Sequence, residues 1–137
     1  MTNCKINEYS YFERKNYYYP DLPKGYQITQ MEKPVGVDGY VMINVNGEDK
    51  KIGIHDIHLE EDTASLDHYD SYSLIDYNRA GIPLIETVTQ PCLHSKEEAI
   101  AFFSQESPLL ASVFPLVITC PVCRKRLRST RAGRFRC

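Results

Sequence analysis

The chain has 137 residues, a formal net charge of −2, 42% hydrophobic and 25% charged residues. That is the size of one ordinary domain with a globular composition, which excludes disordered, collagen-like and coiled-coil chains. The longest apolar run, Leu109 to Ile118 with Ser112 and Pro115 inside it, falls well short of the roughly 20 residues of a membrane span. Met1 to Lys5 lack the apolar stretch of a signal peptide, so a cytoplasmic location is expected.

The charge divides along the chain. Residues 1–103 carry 9 Lys/Arg against 17 Asp/Glu, and residues 104–137 carry 7 against 1. All ten tyrosines lie in the first part, and Cys120, Cys123 and Cys137 crowd the second. Two differently composed pieces are expected, divided near residue 103. An odd cysteine count with a Cys-x-x-Cys pair and no secretory signal points to reduced thiols or metal binding rather than disulfides.

In chain order, Phe12 to Pro23 mixes aromatics, bases and two prolines and reads as a loop. Tyr26 to Met31, Tyr40 to Val45 and Lys50 to Glu60 read as strands, the last two joined by Asn46-Gly47, a strong hairpin signal. Tyr72 to Tyr77 and Pro83 to Val88 read as a further strand pair turning through Asn78-Arg79-Ala80-Gly81. Ser95 with Glu98 forms a capping box that opens a helix through Ala99 to Phe103 and beyond. The fold class is α+β, an antiparallel sheet with flanking helices.

The richest chemistry lies in Ile57-His58-Leu59-Glu60-Glu61-Asp62 and Pro83-Leu84-Ile85-Glu86. In an extended chain Glu61 shares a face with Ile57 and Leu59, and Glu86 shares one with Leu84 and Val88. A carboxylate turned into an apolar layer needs a cation beside it. Two from separate strands suggest a bound ion, and all-oxygen ligation favours magnesium, which usually brings a phosphate with it. The plainer alternatives are a solvated strand end for Glu60, Glu61 and Asp62, an ion pair of Glu86 with Arg79 or Arg14, and a hydrogen-bonded structural role for His58. Arg14 and Lys15 are either surface charges or, beside the tyrosines, a phosphate- or nucleic-acid-binding pair.

Four stretches carry a resemblance: Phe12 to Asp21 (Phe-Glu-Arg-Lys-Asn-Tyr-Tyr-Tyr-Pro-Asp), Lys24 to Gln30, Ile57 to Asp62, and Ser73 to Glu86. In order and spacing they resemble the B subunit of glutamyl/aspartyl-tRNA amidotransferase over about residues 8 to 103. The resemblance implies an antiparallel fold similar to glutamine synthetase and guanido kinases. It also implies a kinase-like step that uses ATP and magnesium to phosphorylate the side-chain carboxylate of Glu or Asp misacylated on tRNA. Ammonia from glutamine, supplied by an amidase (A) subunit, then displaces phosphate, and a small C subunit clasps the pair. Phosphorylation turns a poor acceptor oxygen into a good leaving group. By position, the magnesium carboxylates fall on Glu61 and Glu86, His58 and Glu60 support the ion and nucleotide, and Lys15 with Arg14 meets phosphate or the aminoacyl end. Asn78 and Arg79 are expected to shape the turn that presents Glu86.

Three departures accompany it. The family's preceding Glu-x-His segment, which completes the pocket, is expected to lie before this chain; Thr63-Ala64-Ser65 stand where the family has Ala-Gly-Lys; and the match ends near Phe103. Beyond it, Cys120, Cys123 and Cys137 are spaced as three ligands of an incomplete zinc ribbon, against the alternatives of adventitious cysteines or a disordered tail. The expected function is the magnesium and ATP part of the amidotransferase. The alternatives are a non-catalytic tRNA- or protein-binding module with a zinc ribbon, and a truncated or frameshifted gene product.

Overall fold

The computed structural model describes residues 2–110, 116–119, 126–129 and 135–136, with side chains through residue 105. Cys120, Cys123 and Cys137, the expected zinc ligands, lie outside the described residues. The centre of the fold is a long hairpin, β4 (Gly36–Val45) and β5 (Glu48–Glu61). Its turn is Asn46-Gly47, with φ of 54° and 89°, and it closes with Val45 opposite Glu48. Both turn residues occupy the left-handed region that suits the twist of a two-residue hairpin.

Around this hairpin a seven-stranded sheet runs in the order β1-β4-β5-β8-β9-β10-β11. Its other members are β1 (Lys5–Ile6), β8 (Pro83–Thr89), β9 (Leu116–Thr119), β10 (Arg126–Ser129) and β11 (Phe135–Arg136). The pairing of β8 with β9 is parallel, with Ile85 opposite Leu116; the other described pairings in the sheet are antiparallel. The helix α1 (Lys96–Leu110) precedes β9, so a helical crossover separates the parallel neighbours, as parallel pairing requires. This helix runs through the composition change at residue 103.

The α+β class expected from the hairpin signals is what the chain forms. One helix contributes Phe102 and Phe103, which pack with Val41, Ile43, Ile52, Ile54 and Leu93 into the buried core. At the start of α1 the Glu98 amide donates to Ser95 Oγ (3.1 Å), while Glu98 Oε2 accepts from the His94 amide (2.7 Å). The reciprocal cap therefore reaches one residue further back than Ser95.

Two local expectations are corrected. The segment Phe12 to Pro23 is not all loop, because Glu13–Asn16 form β2, paired with β3 (Tyr26–Thr29). The Tyr72 to Tyr77 segment does not pair with Pro83 to Val88. Instead β7 (Ser73–Asp76) pairs with β6 (Ser65–His68), and β8 pairs with β5. A single 3-10 turn, Tyr77–Arg79, capped by Asp76, redirects the chain between β7 and β8.

Candidate metal centre

The apolar residues of β5 step by two, Ile52 to Ile54, then by three to Ile57, then by two to Leu59. That one-residue slip is a β-bulge: Ile54 lies opposite Thr89 but Asp56 opposite Val88, so His55 is the extra residue. The bulge keeps Ile54 and Ile57 on the face packed against the core. It sends Asp56, His58 and Glu60 to the other face, where β8 presents Glu86 directly opposite His58 and Leu84 opposite Glu60.

His58, Glu60 and Glu86 thereby offer one nitrogen and two oxygen atoms that all lie within 4.8 Å of one another. His58 Nε2 stands 3.9 Å from Glu60 Oε2 and 3.8 Å from Glu86 Oε2, and the side chains are only 13%, 3% and 5% exposed. These gaps are too long for hydrogen bonds. They match the spacing of two ligands that each sit about 2.1 Å from a common ion. The two carboxylates suit a divalent cation such as the expected magnesium or manganese, while the imidazole adds a nitrogen donor that the all-oxygen expectation did not include.

The other imidazole nitrogen is held from behind. Asp56 Oδ1 lies 2.6 Å from His58 Nδ1, and Asp56 Oδ2 lies 2.8 Å from His55 Nδ1. Burial alone would raise the Asp56 carboxyl pKa, but the hydrogen bonds from His58 and His55 bring it below its ordinary value. Burial likewise opposes a charged His58, yet the Asp56 hydrogen bond and the negative charges of Asp56, Glu86 and Glu60 raise its pKa.

The structure does not bring Glu61 and Glu86 together. Leu59 opposes Ile85 and Glu61 opposes Pro83, so Glu61 points to the opposite face of the strand pair from Glu86. There the β2–β3 hairpin covers it. Glu61 Oε2 accepts from Lys24 Nζ (2.6 Å), Glu61 Oε1 from the Ile28 amide (2.8 Å), and the Glu61 carbonyl from Gln27 Nε2 (2.7 Å). Its cation is a lysine. Arg14 and Lys15 are exposed on β2, over the rings of Tyr26 and Tyr17 at 4.9 and 5.8 Å. The turn before β8 is anchored by Asp62, which accepts two hydrogen bonds from Arg79 (3.0 and 2.7 Å) and exchanges backbone bonds with Gly81 and Ile82.

Sequence reasoning did not single out Asp56, Lys24 or Asp62 as site residues. The three-residue step from Ile54 to Ile57 marks the bulge that turns Asp56, together with His58 and Glu60, away from the face of Ile54. Nothing local marks Lys24, whose partner is 37 residues away.

The GatB/GatE catalytic domain family matches residues 1–116, and a domain of unknown function (DUF8512) matches residues 117–137. The chain is 51% identical over 112 residues to the B subunit of the aspartyl/glutamyl-tRNA(Asn/Gln) amidotransferase of Clostridium botulinum, covering 81% of this chain and 24% of that protein. It is 59% identical over 102 residues to the protein of the same name from Ruminiclostridium cellulolyticum, covering 73% and 21%. The counterpart from Mycoplasmopsis synoviae is 55% identical over 100 residues, with the same coverage of 73% and 21%. The chain thus spans between a fifth and a quarter of the length of these relatives. On a match covering most of its length, the chain belongs to the GatB/GatE catalytic domain family.

Proposed function

We propose that this chain supplies the magnesium- and ATP-handling face of a tRNA-dependent amidotransferase acting in translation in the cytoplasm. The overall reaction converts misacylated Glu-tRNA(Gln) or Asp-tRNA(Asn) to Gln-tRNA or Asn-tRNA with glutamine-derived ammonia. Its partners are the amidase (A) subunit, the small C subunit and the misacylated tRNA. The fold we propose for the complete domain is similar to that of glutamine synthetase and the guanido kinases. The observation that carries this reading is the convergence of His58, Glu60 and Glu86 on one face of β5 and β8.

In this reading Glu60, Glu86 and His58 Nε2 hold the ion, and their burial limits competing water. The bound ion supplies charge neutralisation at the phosphoryl oxygens and so favours transfer to the acceptor carboxylate. On the other face of β5, Lys24 balances the buried carboxylate of Glu61. Arg14 and Lys15, exposed beside Tyr17, Tyr18 and Tyr19, meet the phosphates of the tRNA end, and the tyrosine rings offer stacking surfaces to its bases.

Titration of the full chain with Mn²⁺ tests the reading. One ion per chain is expected, with loss of binding in Glu60→Gln and Glu86→Gln and little change in Glu61→Gln. Equal binding by all three variants and the parent would remove the assignment. For residues 104–137 we further propose zinc held by Cys120, Cys123 and Cys137. The antiparallel strands β9 and β10, which bracket Cys120 and Cys123 in sequence, support this. Elemental analysis showing no zinc in folded protein would reject it.

A further inference from the structure

The proposed metal centre asks a specific thing of His58: its Nε2 must present a lone pair, not a proton. Nothing in a neutral imidazole guarantees this, since the two tautomers are close in energy. Here the surroundings bias the ring the wrong way. Glu60 and Glu86 lie 3.9 and 3.8 Å from Nε2 and would draw a proton onto that nitrogen. The counterweight is Asp56, whose Oδ1 is 2.6 Å from Nδ1 and is therefore the nearer acceptor by more than 1 Å. Asp56 and His58 are two residues apart on β5 and so share a face, and the bulge at His55 turns that face away from the one that carries Ile54. Both side chains are largely buried, at 16% and 13% exposed, so water competes weakly for the same hydrogen bond.

We propose that Asp56 is the positioning residue of this centre, holding the Nδ1–H tautomer and the ring plane of His58 so that Nε2 faces the divalent ion. The inference rests on the metal reading above and adds to it a residue that touches neither ion nor substrate. Ligating histidines commonly donate their second N–H to a carboxylate, and removing that partner costs about 10- to 100-fold in metal affinity. His55 takes the other oxygen of the same carboxylate and is 73% exposed, so it is not needed for the orientation.

Two readouts on the full chain test this. Nitrogen-15 NMR of metal-free protein, recorded at a pH where the ring signals of His58 show one protonated and one bare nitrogen, should show the proton on Nδ1. In Asp56→Ala the proton should move to Nε2. Mn²⁺ affinity should fall about 10- to 100-fold in Asp56→Ala, fall less in Asp56→Asn, whose amide oxygen still accepts from Nδ1, and stay within about twofold in His55→Ala. If Asp56→Ala and Asp56→Asn keep both the parental tautomer and the parental affinity, the positioning role is overturned while the metal centre stands. If the parent chain binds no Mn²⁺, the metal reading itself fails and takes the proposed purpose of Asp56 with it. Should Asp56→Ala not fold, Asp56→Leu, which keeps the bulk but has no acceptor for Nδ1, carries the same decision, since parental affinity there alongside loss in His58→Gln overturns the role.

Discussion

Glu61 and Glu86 each face inward on their own strands, yet they meet different partners, because cross-strand register and not parity along one strand decides which side chains converge. Parity was readable in the sequence; register depends on the bulge and on which strands pair. Asp62 illustrates a buried carboxylate with a structural use. Its side chain is 1% exposed and its charge is met by Arg79 at 2.7 Å. Removing the guanidinium in Arg79→Ala should destabilise the fold by about 2–3 kcal/mol in urea melts, since a buried charge loses its main cation. Loss below about 0.5 kcal/mol would show the pair to contribute no more than an exposed surface pair.

The couple of Asp56 and His58 sets a pH signature for the metal-free chain. The folded His58 pKa is raised, so its contribution is fully present below the unfolded value near 6.5 and disappears as pH rises through the folded value. The folded Asp56 pKa is lowered, so its contribution is present above the unfolded value near 3.9 and is lost as pH falls through the folded value. Together they stabilise most between about pH 4 and 6.5. The stability difference between the parent and Asp56→Ala should therefore be larger near pH 5.5 than near pH 8.5. An unchanging difference would contradict the coupling.

At the scale of elements, the Asn46-Gly47 turn was legible because left-handed backbone demands particular residues. Gly47 has φ of 89° and open space around the position of a Cβ, so Gly47→Ala would meet no clash and only backbone strain. About 1 kcal/mol of stability should be lost. The helix start was legible too. Glu98 bonds the His94 amide and pairs with Lys50 at 2.6 Å, tying α1 to β5, and the His94 amide followed by Lys50 lowers its pKa. Glu98→Ala should cost about 1 kcal/mol at neutral pH, and the difference from the parent should shrink as pH falls through the lowered Glu98 pKa. The partner of β7 was not legible. Residues near in sequence were expected to pair, but the 3-10 turn and the Asp62 anchor send β8 to β5 and leave β7 with β6.

Across the whole molecule, the sheet separates two tasks. One face packs Ile52 and Ile54 against Phe102 and Phe103, and the other carries Asp56, His58, Glu60 and Glu86. The bulge at His55 is what allows a single strand to serve both. Composition and hairpin signals conveyed the α+β class, whereas the seven-strand order and the parallel placement of β9 depend on contacts far apart in sequence. Because the tasks lie on different faces, Ile52→Val should lower stability by about 1 kcal/mol while leaving Mn²⁺ affinity unchanged.

Anomalous diffraction from crystals of the chain soaked in Mn²⁺ shows whether His58, Glu60 and Glu86 share one ion. One strong peak is expected roughly 2.2 Å from His58 Nε2 and from one oxygen each of Glu60 and Glu86. A peak beside Glu61, or none between β5 and β8 in crystals that bind the ion elsewhere, would contradict it.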